Sequence, residues 1–346
     1  MKLSEIVALL IENGVDAHLV GSEIEEVCQV ASLLDARQGS ITFFSDKRRI
    51  AELERTQATV VLLTEEMASF TSVNKIIVND PYVAYAYVAQ KLDEIPHQPH
   101  INSNTFIAET AVVPNTCRIG FGVYIGENVV LGEECVIDSG SVIEAHSVLG
   151  DNCHIYPNVT IMHNCVLGNH VTIESGTVIG GQGFGFANQK GKWLRIPQIG
   201  RVVIGNNCWV GNNCAIDRGT IEDTVIGDNC ILDNLIHMAH NVEIGQGTAI
   251  AGQVGFAGST KVGEYCMFAG QVGINGHITV SDKSQFGAKA GITHSIKKPG
   301  SYSGFPAVET ADWQKTTVRL RNLEKMSQKI KLLEKELESI KKQLED

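Results

Sequence analysis

Residues 226–256 read IGDNCILDNLIHMAHNVEIGQGTAIAGQVGF, and every sixth position is apolar: Ile226, Leu232, Met238, Ile244, Ile250 and Phe256. A period of six fits neither an α-helix at about 3.6 nor a lone strand at about 2. It fits a short strand plus a turn, repeated so that three hexads close one coil of a solenoid. The register runs back from this stretch to Ile101 through Ile107, Val113, Ile119, Ile125 and onward to Ile179, resumes at Ile204, Val210 and Ile216, and continues forward to Ile292. The fold expected is therefore mainly β, a parallel β-helix of triangular section over residues 101–298.

Two segments break the period. Residues 181–203 (GQGFGFANQKGKWLRIPQIGRVV) form an excursion, and a shorter slip spans Arg218 to Asp223. Insertions of this kind leave the coil as surface loops, here expected to wall a cleft against a neighbouring chain. The GQGFG run is not read as a nucleotide loop, because Lys190, Gly191 and Pro197 follow where a helix would have to begin. Eight of the nine cysteines, among them Cys117, Cys135, Cys153, Cys165 and Cys230, stand two places before a repeat residue. That slot elsewhere holds Ala, Val, Ser or Thr, so a small packed residue is expected rather than zinc ligation or a disulfide.

On either side the pattern changes. Residues 1–95 combine a helix near 3–13, apolar runs at 41–44, 58–63 and 75–78 and a helix near 81–93, which predicts a small α/β domain. PHQPH, at 96–100, reads as a linker. Beyond the turn from Pro299 to Pro306, residues 308–346 place Leu323, Met326, Ile330, Leu333, Leu337, Ile340 and Leu344 at alternating spacings of three and four, a coiled-coil seam. A single apolar stripe needs partners, and a triangular prism suits a homotrimer.

Composition narrows the function. Lys plus Arg number 28 and Asp plus Glu 39, a net charge of −11, so general nucleic-acid binding is excluded. Long apolar runs that would span a bilayer are absent, and Glu5 and Glu12 interrupt the amino-terminal apolar stretch, so a cytoplasmic location is expected.

The spacing also collects chemistry. Met238, Phe256, Ile274 and Ile292 are 18 apart and stack on successive coils, which places His240 and Gly258 at matched offsets about 4.8 Å apart along the axis. His277 follows two coils above His240. A base, an amide donor and a binding imidazole would suit acyl transfer. Against this, His146, His163 and His170 occupy similar offsets elsewhere, and His237, His240 and His294 leave open a three-histidine zinc site.

The excursion VIGGQGFGFANQKGKW…IPQIGRVVIG, the slip IDRGTIEDTVIG, and NLIHMAHNVEIG, GQVGINGHI and PGSYSGFPA, in that order and over nearly the whole chain, resemble the UDP-3-O-acylglucosamine N-acyltransferases of lipid A synthesis. The resemblance implies a left-handed coil and transfer of a 3-hydroxyacyl chain from acyl carrier protein to the 2-amine of a UDP-3-O-acylglucosamine, with no metal or redox cofactor. It implies that His240 is the general base, that Asp233 orients it, that Gly258 donates its N–H to the thioester oxygen, and that His277 holds substrate. It also implies that the first domain binds uracil with Phe43, while Phe43 and its neighbour Phe44 point to opposite strand faces. The family's asparagine and tyrosine are here Asp46 and Arg49, and Arg49 is expected to meet a phosphate. Residues 289–331 carry nine basic side chains against three acidic ones, including Lys297, Lys298, Arg319 and Arg321, which fits a docking patch for the acidic carrier. Two rivals stay open: another hexapeptide acyltransferase, acting on a different nucleotide sugar or using coenzyme A, and a solenoid scaffold without turnover.

Overall fold

The computed structural model describes residues 1–93, 98–305 and 308–345. The chain divides into two compact units, Met1–His97 and Gln98–Asp346. Pro96 and His97 of the expected linker, and Pro306 of the expected turn, fall outside the described residues.

The first unit is a five-stranded sheet ordered Ala17–Val20, Asn74–Val78, Val60–Leu63, Ser40–Phe43, Gln29–Val30. Pairing is parallel except at the Ala17–Val20 edge. Helices Leu3–Glu12 and Pro81–Asp93 supply Leu3, Ile6, Leu10, Ala84 and Val88 to a core shared with Ile41, Val60, Leu62 and Ile76. Val60–Leu63 is buried along its whole length, as a central parallel strand with both faces covered must be. Strands Ala17–Val20 and Gln29–Val30 were not expected: His18 interrupts the apolar run of the first, and the second is only two residues long.

The second unit is a parallel β-solenoid whose two- to four-residue strands stack into three walls. One wall holds Ala215–Asp217, His237–Met238, Gly255–Phe256, Gly273–Ile274 and Gly291–Ile292 in direct register, Met238 opposite Phe256 and Phe256 opposite Ile274. A second wall holds Trp209–Val210, Ile231–Leu232, Ala249–Ile250, Met267–Phe268 and Gln285–Phe286. The third includes Val202–Ile204, Thr224–Ile226, Glu243–Ile244 and Lys261–Val262.

The hexad now has a physical basis. The repeat residue points inward and is fully buried, as at Ile216, Met238 and Phe256, each worth roughly 1.5–3 kcal/mol of burial. Three places on, the chain turns through the left-handed region, at Asn158, Asn164, Asn213, Asn229 and Asn241 among others. Asparagine tolerates that conformation better than most residues, which is why it recurs there. His146, His170 and His277 occupy this turn position too. The small slot does more than pack: Cys135 Sγ donates to Gly150 O, Ser141 Oγ to Tyr156 O at 2.8 Å and Thr177 Oγ1 to Gly211 O at 2.7 Å. Each donates to a corner carbonyl of the next coil. Burial pushes the Cys165 thiol up to about 11, so that thiol keeps its proton.

The excursion folds into an antiparallel hairpin, Phe186–Gln189 against Lys192–Arg195, turning at Lys190 and Gly191, both of positive φ. After it the chain continues to helices Thr310–Arg321 and Leu323–Glu345; the apolar seam of the latter is exposed throughout. Among the described residues, no helix is long and apolar enough to cross a membrane.

Candidate active site

His240 follows strand His237–Met238 and stands at the rim of a groove of about 670 Å³ on the first wall, lined with it by Phe184, His237, Gly258, Asn275 and Thr293. The floor is bare backbone, because Gly255, Gly273 and Gly291 occupy the outward position on three successive coils. Of the small residues near the upper end, Gly291 lines this groove, Ala288 is exposed and Ala290 packs inside the coil.

Gly258 lies one coil above His240. A Cβ placed on Gly258 would fall 2.7 Å from both Cε1 and Nε2 of the imidazole, so only glycine lets the ring edge approach this close. The Gly258 N–H meets no acceptor among the described residues. An unpaired amide beside a ring nitrogen is the geometry that oxyanion stabilisation requires. His277 is exposed at a left-handed turn; its N–H donates to Gly258 O at 3.0 Å, but its side chain does not line the groove.

Asp233 is placed elsewhere. It follows strand Ile231–Leu232 on the second wall, where it lines a larger groove of about 820 Å³ with Trp209, Ile231, Ala249 and Met267. Its carboxylate accepts from Asn234 N, and among the described bonds none joins it to His240. The six-residue step from Leu232 to Met238 turns one corner, so the two side chains belong to different walls. In place of Asp233, His240 Nδ1 meets Asn241 Oδ1 at 3.1 Å and Thr220 Oγ1 at 3.3 Å. A carboxyl that the sequence reading passed over, Asp217, stands one coil below on the same wall; burial raises its pKa, against the opposing pull of His237 and His240.

The two interruptions are stitched together beside this groove. Ile199 N donates to Thr220 O and Gly200 N to Gly219 O, both at 2.9 Å, while Arg201 pairs with Asp223 at 2.7 Å. Arg218 is fully buried, donating to Gly180 O at 2.9 Å and His163 O at 2.8 Å, with His163 Nε2 at 2.7 Å. It ties off the carbonyls where the chain leaves the coil. None of these contacts follows the hexad period, so no spacing rule announced them.

Among the described residues, no group of three or more His, Cys, Asp and Glu is arranged to hold a metal ion, the three-histidine set included. In the first unit, Phe44 is buried, whereas Phe43 is half-buried with its ring 4.6 Å from Tyr85 and 5.5 Å from Tyr82. Neither Phe43 nor Arg49 lines the unit's groove of about 380 Å³, which Phe44, Ser45, Lys47, Thr64, Glu65 and Asn79 help to form. Arg49 is engaged by Glu52 at 2.5 Å, and Asp46 caps the short turn Lys47–Arg49 by accepting from Arg48 N. Lys297, Lys298, Arg319 and Arg321 are all exposed.

A family model described as UDP-3-O-(3-hydroxymyristoyl) glucosamine N-acyltransferase, LpxD, matches residues 25–91, and one described as bacterial transferase hexapeptide (six repeats) matches residues 146–181. The UDP-3-O-acylglucosamine N-acyltransferase of Hydrogenovibrio crunogenus is 52% identical over 346 residues, covering 100% of both chains. That of Pseudoalteromonas translucida is 47% identical, covering 96% of this chain and 97% of its own. Among solved structures, the Francisella novicida UDP-N-acetylglucosamine acyltransferase aligns with a TM-score of 0.48 at 23% identity, over 63% of this chain and 73% of that one. Full-length identity at this level, on a solenoid with a histidine and an open amide at one groove, shows that the chain is an acyltransferase and belongs to the UDP-3-O-acylglucosamine N-acyltransferase family.

Proposed function

We propose that this enzyme moves a 3-hydroxyacyl chain from the thioester of acyl carrier protein to the 2-amine of UDP-3-O-acylglucosamine, working as a homotrimer in the cytoplasm and without a cofactor. The amine nitrogen attacks the thioester carbonyl and the C–N bond forms. His240 Nε2 takes the amine proton, and the Gly258 N–H receives the oxygen as negative charge collects on it. The C–S bond then breaks, and the carrier thiolate leaves with the proton returned by His240.

The observation that carries this reading is the contact between Gly258 and the Nε2 edge of His240 in an open groove. Asp233 takes part from a neighbouring subunit, since in its own chain it faces a second groove whose exposed Trp209, Ile231 and Met267 call for cover. His277, exposed at the turn that follows the groove-lining Asn275, helps hold the substrate there. Phe43 stacks on the uracil, and Lys297, Lys298, Arg319 and Arg321 dock the acidic carrier. Arg49, already paired with Glu52, meets a phosphate only by exchanging partners.

The test is mass spectrometry of products from UDP-3-O-acylglucosamine offered with either acyl carrier protein or coenzyme A thioesters. An N-acylated product formed from the carrier supports the proposal. Product from coenzyme A alone assigns a different donor, and no product with either donor removes the reading.

A further inference from the structure

The hydrogen-bond donors and acceptors around His240 determine which of its nitrogens carries the proton, and two of the residues responsible lie in the interruptions of the solenoid. Gln198, from the excursion, is 3% exposed. Its Nε2 donates to Ile196 O at 3.1 Å, which sets the amide so that Oε1 faces Thr220. Thr220 Oγ1 donates its single hydrogen to that Oε1 at 2.7 Å. Toward His240 Nδ1, at 3.3 Å, the hydroxyl therefore has only lone pairs to offer.

Asn241 leads to the same result by a separate route. Its Nδ2 donates to Glu222 O at 2.9 Å, and its Oδ1 accepts from Thr220 N at 3.0 Å. The oxygen that faces His240 Nδ1 at 3.1 Å can only accept. Two acceptors converge on Nδ1, so Nδ1 carries the hydrogen and Nε2 keeps its lone pair, on the edge of the ring that faces Gly258.

The glycines of GQGFG now have a reason. A Cβ on Gly183 would sit 3.0 Å from His240 Cβ and 3.1 Å from Gln198 Oε1, and one on Gly185 would collide with Gln198 Nε2. The excursion is thus shaped to bring a buried amide up to the histidine.

We propose that Gln198 and Thr220 are positioning residues that hold His240 in the tautomer with an unprotonated Nε2. The proposal rests on the reading of His240 as the base, and it assigns the excursion and the slip a shared task. Neither residue touches the reacting atoms; Gln198 acts through Thr220, and Thr220 through the imidazole.

Nitrogen NMR of protein labelled with 15N-histidine tests this without turnover, at about pH 8 where a free imidazole is neutral, with the His240 signals identified by their loss in His240→Gln. The expected wild-type spectrum shows a protonated Nδ1 and a bare Nε2. Gln198→Met frees the Thr220 hydrogen to point at Nδ1 in competition with the acceptor Asn241, so a fraction of the second tautomer should appear and kcat should fall about threefold at unchanged KM. Thr220→Val removes one of the two acceptors at Nδ1 and leaves Asn241 alone to hold it, so the population should move part-way in the same direction, and Thr220→Ser, which keeps the hydroxyl, should show the wild-type spectrum and kcat. A wild-type His240 protonated on Nε2, or a spectrum unmoved in both Gln198→Met and Thr220→Val, overturns the proposal. The wild-type spectrum decides even where a variant fails to fold. Full turnover in His240→Gln would remove the base assignment, while the spectra still judge the network.

Discussion

Gly258 and the imidazole of His240 are in contact across one coil, with the place an alanine methyl would occupy 2.7 Å from Cε1 and Nε2. The clash is with a ring held at its other edge by Asn241 and Thr220. Gly258→Ala is therefore expected to push the ring off its position and lower kcat about a hundredfold, with the thermal midpoint shifted little because the site is open to solvent. Steady-state kinetics beside a melting curve checks this, and wild-type kcat in the variant would refute the close approach.

His163 supplies a pH dependence. Burial first, and the neighbouring Arg218 charge second, hold its imidazole below the ordinary value. The unfolded chain then binds a proton near pH 6.5 that the folded chain refuses, so stability is full above that range and declines as pH falls through it. Urea midpoints on either side of about pH 6.5 should separate in the wild type, and His163→Gln should narrow the separation. An equal separation in both proteins would reject the assignment.

Oligomerisation makes a separate prediction. Ile231 and Met267 are 57% and 52% exposed along the larger groove, outward and two coils apart on one wall, with Ala249 between them. If this groove is covered in the proposed trimer, Ile231→Glu with Met267→Glu buries unpaired charge and should convert the trimer to monomer in light scattering. An unchanged trimer mass would place the interface on another wall.

Carrier recognition should depend on charge near the last coil and the helix Thr310–Arg321. Arg319→Glu with Arg321→Glu is expected to raise KM for the acyl carrier about tenfold and to weaken its dependence on salt, leaving KM for the sugar nucleotide alone. No change in carrier KM would dismiss the patch.

Much of the architecture was legible because one spacing governs it. The inward column of Met238, Phe256 and Ile274 follows from arithmetic on the repeat, and it brings His240 beside Gly258 with no knowledge of the loops. The same arithmetic separates Asp233 from His240 within one chain, since Leu232 and Met238 are one hexad and so one corner apart. The imidazole's partners were not legible. Gln198 and Thr220 sit where the period fails, and their contact depends on glycine-lined backbone approaches that leave no periodic trace. The donor role of the small slot was hidden for another reason: Cys, Ser, Thr and Val fit the same space, and only the positions of the facing carbonyls show that three of the four also form a hydrogen bond.

The most direct test of the account is the turnover of His240→Ala, confirmed by light scattering to keep the wild-type mass, with acyl carrier protein and UDP-3-O-acylglucosamine as substrates. The account predicts that kcat falls by about a thousandfold while KM for the acceptor changes little. A kcat within a few-fold of wild type would contradict the assignment of His240 as the base.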